Sequence, residues 1–182
     1  MWKNDGLDKV QLKLLEKKII IIHGEIDGSM AMYVREALLR LTSQGNPPVI
    51  VKITSKGGNV RIGLDIYDML RSYSGELTGI VHGFADSMAG VILQACRKRV
   101  AMRHATMLLH HISTSEVSLD TLRDWRKTKK VRGDMEKSQR MIYKVLSDRT
   151  GRSIREIREV CAKEQSMDAR EALRFHFIDE IR

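Results

Sequence analysis

A disulfide framework is the first architecture this sequence excludes. Only two cysteines occur in 182 residues, Cys96 and Cys161, both in helical patterns and without disulfide or metal-site spacing. That usage fits a reducing compartment, and the expected location is the cytoplasm. Proline is as scarce: the two present are adjacent, at positions 47 and 48, so they make a single chain break. Aromatic residues are 5 % of the chain, and no aromatic platform of the kind that stacks nucleobases accompanies the basic residues. Apolar runs such as Ile19 to Ile22 fall far below the ~20 residues a membrane-spanning helix needs. The opening "MWKNDGLDKV" has neither a secretory apolar core nor an arginine-rich amphipathic presequence.

What is present describes a globular chain. Hydrophobic residues are 42 % and charged residues 30 %, enough to bury a core and too apolar for disorder. No repeat, low-complexity segment or linker divides it, so one domain over residues 1–182 is expected. The net charge is +9, much of it in "RDWRKTKKVRGD" at 123–134. Without an RNP motif or zinc spacing, that run reads as the solvated face of a helix, and nucleic-acid binding is not expected. "KGGNVRIG" lacks the Walker spacing and its lysine–hydroxyl pair, which excludes a phosphate loop.

Strand and helix patterns alternate along the first two thirds. "KKIIIIHGEI" predicts a buried strand ending at Gly24, and Ser29 is a candidate cap for the helix "SMAMYVREALLRLTSQG". "VIVKITS" is a β-branched strand, "KGGNV" a turn and "RIGLDIYDMLRSY" a helix. "LTGIVHGFA" predicts a third strand leading into a helix near Ser87, and "HATMLLHHI" a fourth strand. Short glycine-bearing connections between such units argue for βαβ crossovers, a parallel sheet and helices packed on it. From about Leu119 to Arg149 the pattern becomes one long, highly charged helix with an irregular apolar edge, which projects or packs against another subunit. Capping boxes at Ser153–Glu156 and Asp168–Glu171 predict two further helix starts.

The chemistry gathers where strands end. In open parallel sheets, sites form beyond the carboxyl ends of the strands. "SKGGN", "ADSM" and the His110–His111 pair all fall at such ends. Ser87, between small residues and a buried helix, either caps that helix or is a nucleophile held at a strand-to-helix turn. A glycine pair exposes backbone N–H groups without side-chain hindrance. A histidine at a neighbouring strand end has the pKa to take a serine proton. Nucleophile, base and oxyanion donors are together the parts of acyl-transfer catalysis. Each part alone has a plain structural reading as a cap, a satisfied polar residue or a turn.

The residues also resemble a known family. "LLEKKIIIIHGEI", "ITSKGGNVRIGLDIYDMLR", "GFADSMAGVILQAC", "RVAMRHATMLLHH" and "TGRSIREIREVCAKEQSMDAREALRFHFIDEI" are similar, in order and over about residues 14 to 181, to segments of the proteolytic subunit of the Clp protease. The resemblance implies an α/β, crotonase-like ClpP fold with repeated β-β-α and βαβ units and a projecting handle over about 112–149. It implies a serine endopeptidase that degrades unfolded polypeptides inside an oligomeric chamber. Ser87 would be the nucleophile and His110 the general base, since the family's histidine directly follows the pair matched by Leu108–Leu109. The Gly58 and Met88 amides would form the oxyanion hole. Self-association into a heptameric ring, or into stacked rings, is implied, with an AAA+ unfoldase as partner and no metal or cofactor on the subunit itself. A catalytically silent ring subunit is the alternative, and an acyl-CoA enzyme of the related crotonase type is a further rival that the Ser–His pair disfavours.

Several positions depart from the family pattern. Glu164 stands where the family has the aspartate of its triad; a glutamate can orient a histidine equally, with Asp168 as the competing carboxylate. Lys56 replaces a proline beside the glycine pair, and Asp86 replaces a small residue before the nucleophile, where a carboxylate favours a charged His110. "ISTSEVS" replaces a glycine-rich segment after the base, and Gln165 replaces an arginine of the ring contacts. His176 occupies a helix end where glycine is expected. The basic residues 126–132 would repel symmetry-related copies unless acidic groups such as Glu116, Asp120 and Asp124 answer them.

Overall fold

A computed structural model describes residues 7–113 and 117–182. Glu116 and part of the "ISTSEVS" segment, like the whole of the opening "MWKNDG", lie outside the described residues. In chain order the elements are α1 (Lys9–Glu16), β1 (Ile19–Ile26), α2 (Gly28–Ser43), β2 (Val49–Gly58), α3 (Val60–Ser72), β3 (Leu77–Ala85), α4 (Met88–Leu93), β4 (Lys98–Ala101) and β5 (Thr106–Leu108). Then follow α5 (Leu119–Arg123), α6 (Trp125–Thr150), α7 (Ile154–Lys163), β6 (Ser166–Asp168), α8 (Ala169–Arg174) and β7 (Glu180–Ile181).

Strands β1, β2, β3, β4 and β7 lie side by side in that order, and every pairing among them is parallel. Along β2 the side chains alternate, with Val49, Val51 and Ile53 inside, as a sheet with one well-covered face requires. Helices α2, α3 and α4 bury Val34, Leu41, Ile66, Leu70 and Ile92 against it. The carboxyl end of β3 leaves β4 and pairs instead with β5, Phe84 opposite Thr106. Strand β5 in turn pairs antiparallel with β6. This change of partner opens the sheet at the end of β3, where Ser87 follows two residues later.

Several sequence expectations need adjustment. Strand β1 does not end at Gly24: it passes through that residue at φ 87° as a bulge and continues to Ile26, because glycine tolerates the left-handed backbone a bulge needs. Asp27 rather than Ser29 caps α2; its carboxylate accepts the Met30 N–H, and the Ser29 hydroxyl donates to the same oxygen. Asp124 splits the single long helix into α5 and α6, accepting the Arg126 and Lys127 N–H groups to start the second. Both anticipated capping boxes are present. His176 adopts φ 65°, the left-handed conformation anticipated for that helix end.

Helix α6 buries only its last turns, through Ile142, Tyr143, Leu146 and Thr150. Leu119, Leu122 and Trp125, at 69, 58 and 65 % exposure, leave an apolar edge uncovered at the far end.

Arg99 locks the C-terminal segment onto this frame. It is buried, and its guanidinium donates to both carboxylate oxygens of Asp179, to Gln94 Oε1 at 2.6 Å and to the Arg149 carbonyl at 3.2 Å. Burial works against ionisation of Asp179, yet the Arg99 hydrogen bonds and charge outweigh it and hold the carboxyl below its usual range. Arg99→Ala strands the buried Gln94 oxygen as well as opening space, and is expected to cost about 3 kcal/mol. A carboxylate depressed in the folded state stabilises above its unfolded pKa of about 3.9 and loses that contribution as pH falls through the folded value. The gap between the two proteins in chemical denaturation should therefore narrow from pH 7 toward pH 3; a constant gap would remove the ion pair from the explanation.

Candidate active site

Ser87 lies between β3 and α4 with φ 54° and ψ −125°, a conformation that L-residues rarely occupy. It stands at the helix N-cap position, yet its side chain makes no capping hydrogen bond. A hydroxyl at such a position that does not cap is free to face the cavity. Its backbone N–H donates to the Leu108 carbonyl at 2.7 Å, tying the turn to β5.

The glycine pair touches this turn directly. A Cβ on Gly57 would lie 2.7 Å from the Ser87 Cβ, 2.9 Å from the Asp86 carbonyl oxygen and 3.0 Å from the Met88 nitrogen. Only a residue without a side chain lets the two turns close this far, and Gly57 also sits at φ 92°. On the other side, a Cβ on Gly58 would meet the Ile26 backbone at 2.6 Å. Ser55, buried behind the pair, donates through its hydroxyl to the Gly24 carbonyl at 2.6 Å and accepts the Gly57 N–H at 3.0 Å. The bulge in β1 thereby supports the glycine turn in β2.

Ser87, Met88, Gly58 and His110 all line one cavity of about 230 Å³. That is below the usual size of a drug-like ligand site and suits one side chain of a longer substrate. Its floor is apolar, built from Val60, Val91, Leu109, Ile142 and Leu146, with Lys56 at the margin. Cys161 also lines it, but burial pushes that thiol up to about 11, so no thiolate competes with Ser87 at neutral pH.

The His110 Nδ1 lies 2.6 Å from the His111 carbonyl oxygen. A carbonyl only accepts, so Nδ1 carries the hydrogen and Nε2 is left as the basic nitrogen. The segment after it is held from outside: Tyr143 Oη lies 2.7 Å from His111 Nδ1, and the Ile112 N–H donates to Gln139 Oε1 at 2.6 Å. Both anchors come from α6. Sequence reasoning missed all three contacts, since a carbonyl leaves no mark in a sequence and Tyr143 sits 32 residues from its partner.

Glu164 is an exposed residue at the end of α7 with φ 47°. Antiparallel pairing of β5 with β6 sets Leu108 opposite Ser166, and continuing that register two residues would bring Glu164 opposite His110. The ladder stops before that point, and no hydrogen bond joins the two side chains among the described residues. Asp168 spends its carboxylate on the Glu171 N–H in the capping box. Asp86, directly before Ser87, is half-buried, and its Oδ1 accepts the Leu108 N–H at 3.0 Å.

These turns, meeting at the end of a parallel sheet, define an α/β protein with its site at the strand ends. Residues 3–182 match the model of the Clp protease family. The chain is 31 % identical over 172 residues to the ATP-dependent Clp protease proteolytic subunit of Streptococcus mutans, covering 93 % of this chain and 86 % of that one. It is 26 % identical to the subunit of the same name from Carsonella ruddii, covering 98 % and 91 %. Among solved structures, a Clp proteolytic-subunit mutant from Listeria monocytogenes superposes with a TM-score of 0.84 at 22 % identity, over 95 % of each chain. The chain belongs to the Clp protease family.

Proposed function

We infer that this chain is the peptidase subunit of a Clp-type protease and that Ser87 and His110 carry its reaction. The observation that supports this best is the uncapped, strained Ser87 facing the same cavity as His110. His110 Nε2 takes the hydroxyl proton as Ser87 Oγ attacks the peptide carbonyl carbon. The carbonyl oxygen becomes an oxyanion, held by the Gly58 and Met88 amides; one such donor is typically worth about 3 kcal/mol. The tetrahedral species expels the amine, which takes its proton from His110, and leaves an acyl-enzyme on Ser87. Water, deprotonated by His110, then releases the acid and restores the hydroxyl. Glu164 is the residue the family pattern assigns as third member.

The apolar cavity beside Ser87 fits an apolar side chain on the acyl side of the cut bond. Unfolded polypeptide is the substrate class and a ring of subunits, heptameric or stacked in pairs, the working form, fed by an AAA+ unfoldase in the cytoplasm. The exposed apolar edge of α5 and α6 is consistent with contacts between subunits. No described helix is long and apolar enough to cross a membrane.

A fluorophosphonate probe is expected to label Ser87 and no other serine. Peptides with leucine or methionine before the cut should be hydrolysed at least ~10-fold faster than those with aspartate there, the discrimination an apolar pocket provides. An unlabelled Ser87 in the assembled protein would exclude the mechanism.

A further inference from the structure

We propose that Asp86, rather than Glu164, is the carboxylate that supports His110, acting as a positioning residue for the Ser87–His110 pair. The inference rests on the serine-peptidase reading above and deepens it.

Residues 86 and 87 together consume both polar backbone groups of Leu108. Asp86 Oδ1 accepts its N–H at 3.0 Å, and the Ser87 N–H donates to its carbonyl at 2.7 Å. His110 follows two residues later, so this double staple fixes where the base stands relative to the nucleophile. The Asp86 backbone is itself pinned, donating its N–H to the Ser55 carbonyl at 2.9 Å.

Charge points the same way. The charged groups facing Asp86 are Lys56 from β2 and His110 beyond β5; α4, packed beside it, has no titratable side chain between Met88 and Leu93. Burial pushes the Asp86 carboxyl up, while the Leu108 hydrogen bond and the charges of Lys56 and His110 pull it back. The interaction is reciprocal: an ionised Asp86 favours the imidazolium that forms as Ser87 attacks. Partial burial strengthens that effect over its value in water. Lys56 and Asp86 are both departures from the family pattern, and the Lys56 charge acts on the Asp86 carboxyl.

Two tasks usually fall to the third member of a triad, fixing the tautomer and stabilising the charge. In this chain the His111 carbonyl performs the first. Charge remains to be supplied, and Glu164, exposed at the end of α7, makes no hydrogen bond to His110 among the described residues.

Asp86→Asn keeps an oxygen for the Leu108 N–H and removes the charge alone. Peptide hydrolysis is expected to fall about tenfold in kcat/KM, less than the loss that follows a wrong tautomer, because the tautomer is held elsewhere. The acidic limb of the kcat/KM profile should move to lower pH. Glu164→Gln should leave the limb in place. Lys56→Met, which removes a cation near both groups, should move the limb to higher pH and guards against misfolding of a single variant. A limb that moves in Glu164→Gln and stays in Asp86→Asn, or stays in both, overturns the proposal. Fluorophosphonate labelling of the wild type separates the two levels. Labelled Ser87 with an unaltered Asp86→Asn profile rejects the role of Asp86 alone, whereas unlabelled Ser87 rejects the serine-peptidase reading with it.

Discussion

Ser87→Ala is expected to lower kcat for peptide hydrolysis by at least about 10⁴-fold, the scale on which removal of a serine nucleophile acts. Ser87→Gly should lose as much activity while gaining stability. The native φ of 54° at this residue is of the kind that costs an L-residue about 1–3 kcal/mol. Glycine escapes that cost but loses about 0.5–1 kcal/mol to greater freedom in the unfolded chain. The net gain is about 1 kcal/mol, or a rise of about 2–4 °C in Tm for a domain of this size. Alanine retains the strain and should melt near the wild-type temperature. The pair of variants thus reads two consequences of one backbone: strain maintained by the fold, and the uncapped hydroxyl that it presents. A glycine variant no more stable than the alanine variant would mean that the turn is relaxed.

The second large effect belongs to Gly57. Its Cβ would fall 2.7 Å from the Ser87 Cβ and within 3.0 Å of two backbone atoms of the Ser87 turn. None of these can swing away as a flexible side chain would, so the turns must separate. The left-handed φ of 92° adds its own penalty. Gly57→Ala is expected to lower stability by about 3 kcal/mol and kcat by 100-fold or more, since a displacement near 1 Å at reacting atoms has that consequence. Gly133→Ala is the control, because a Cβ there meets nothing within 4 Å in the middle of α6, where alanine is the better helix former. Thermal unfolding and hydrolysis rates on both proteins decide the matter. If Gly57→Ala retains full turnover, the close approach of the two turns is irrelevant to chemistry.

How much of this could be read from the sequence differs by element. Strands β2 and β3 were legible because β-branched alternation and the flanking Pro47–Pro48 and Gly75 punctuate them. The short strands β4, β6 and β7 were not, since two to four residues carry no period and are defined only by what lies beside them. The break at Asp124 was hidden for a different reason: aspartate within a charged stretch reads as one more solvated residue until its carboxylate is seen capping α6.

The site divides in the same way. Ser87, His110 and the glycine pair could be proposed because a strand end followed by a small-residue turn is a local signal. What supports them is not local. The Tyr143 hydroxyl and the Gln139 amide hold His111 and Ile112, the residues after His110, through tertiary packing. Glu164 was selected by alignment of residue types, yet its place at an exposed helix end depends on where α7 stops. Asp86 attracted notice only as a departure from pattern; its grip on Leu108 required β5 to lie against the nucleophile turn.

Helix α6 behaves as two materials joined end to end. Its last turns rest on the body through Ile142, Tyr143 and Leu146. Along its outer length, exposed ion pairs such as Arg132–Glu136 and Arg140–Glu136 only supplement the backbone hydrogen bonds. Pairs this exposed contribute little each and fade as salt rises. Salt therefore weakens the outer arm slightly, while the root is held on the body by apolar packing that salt does not screen.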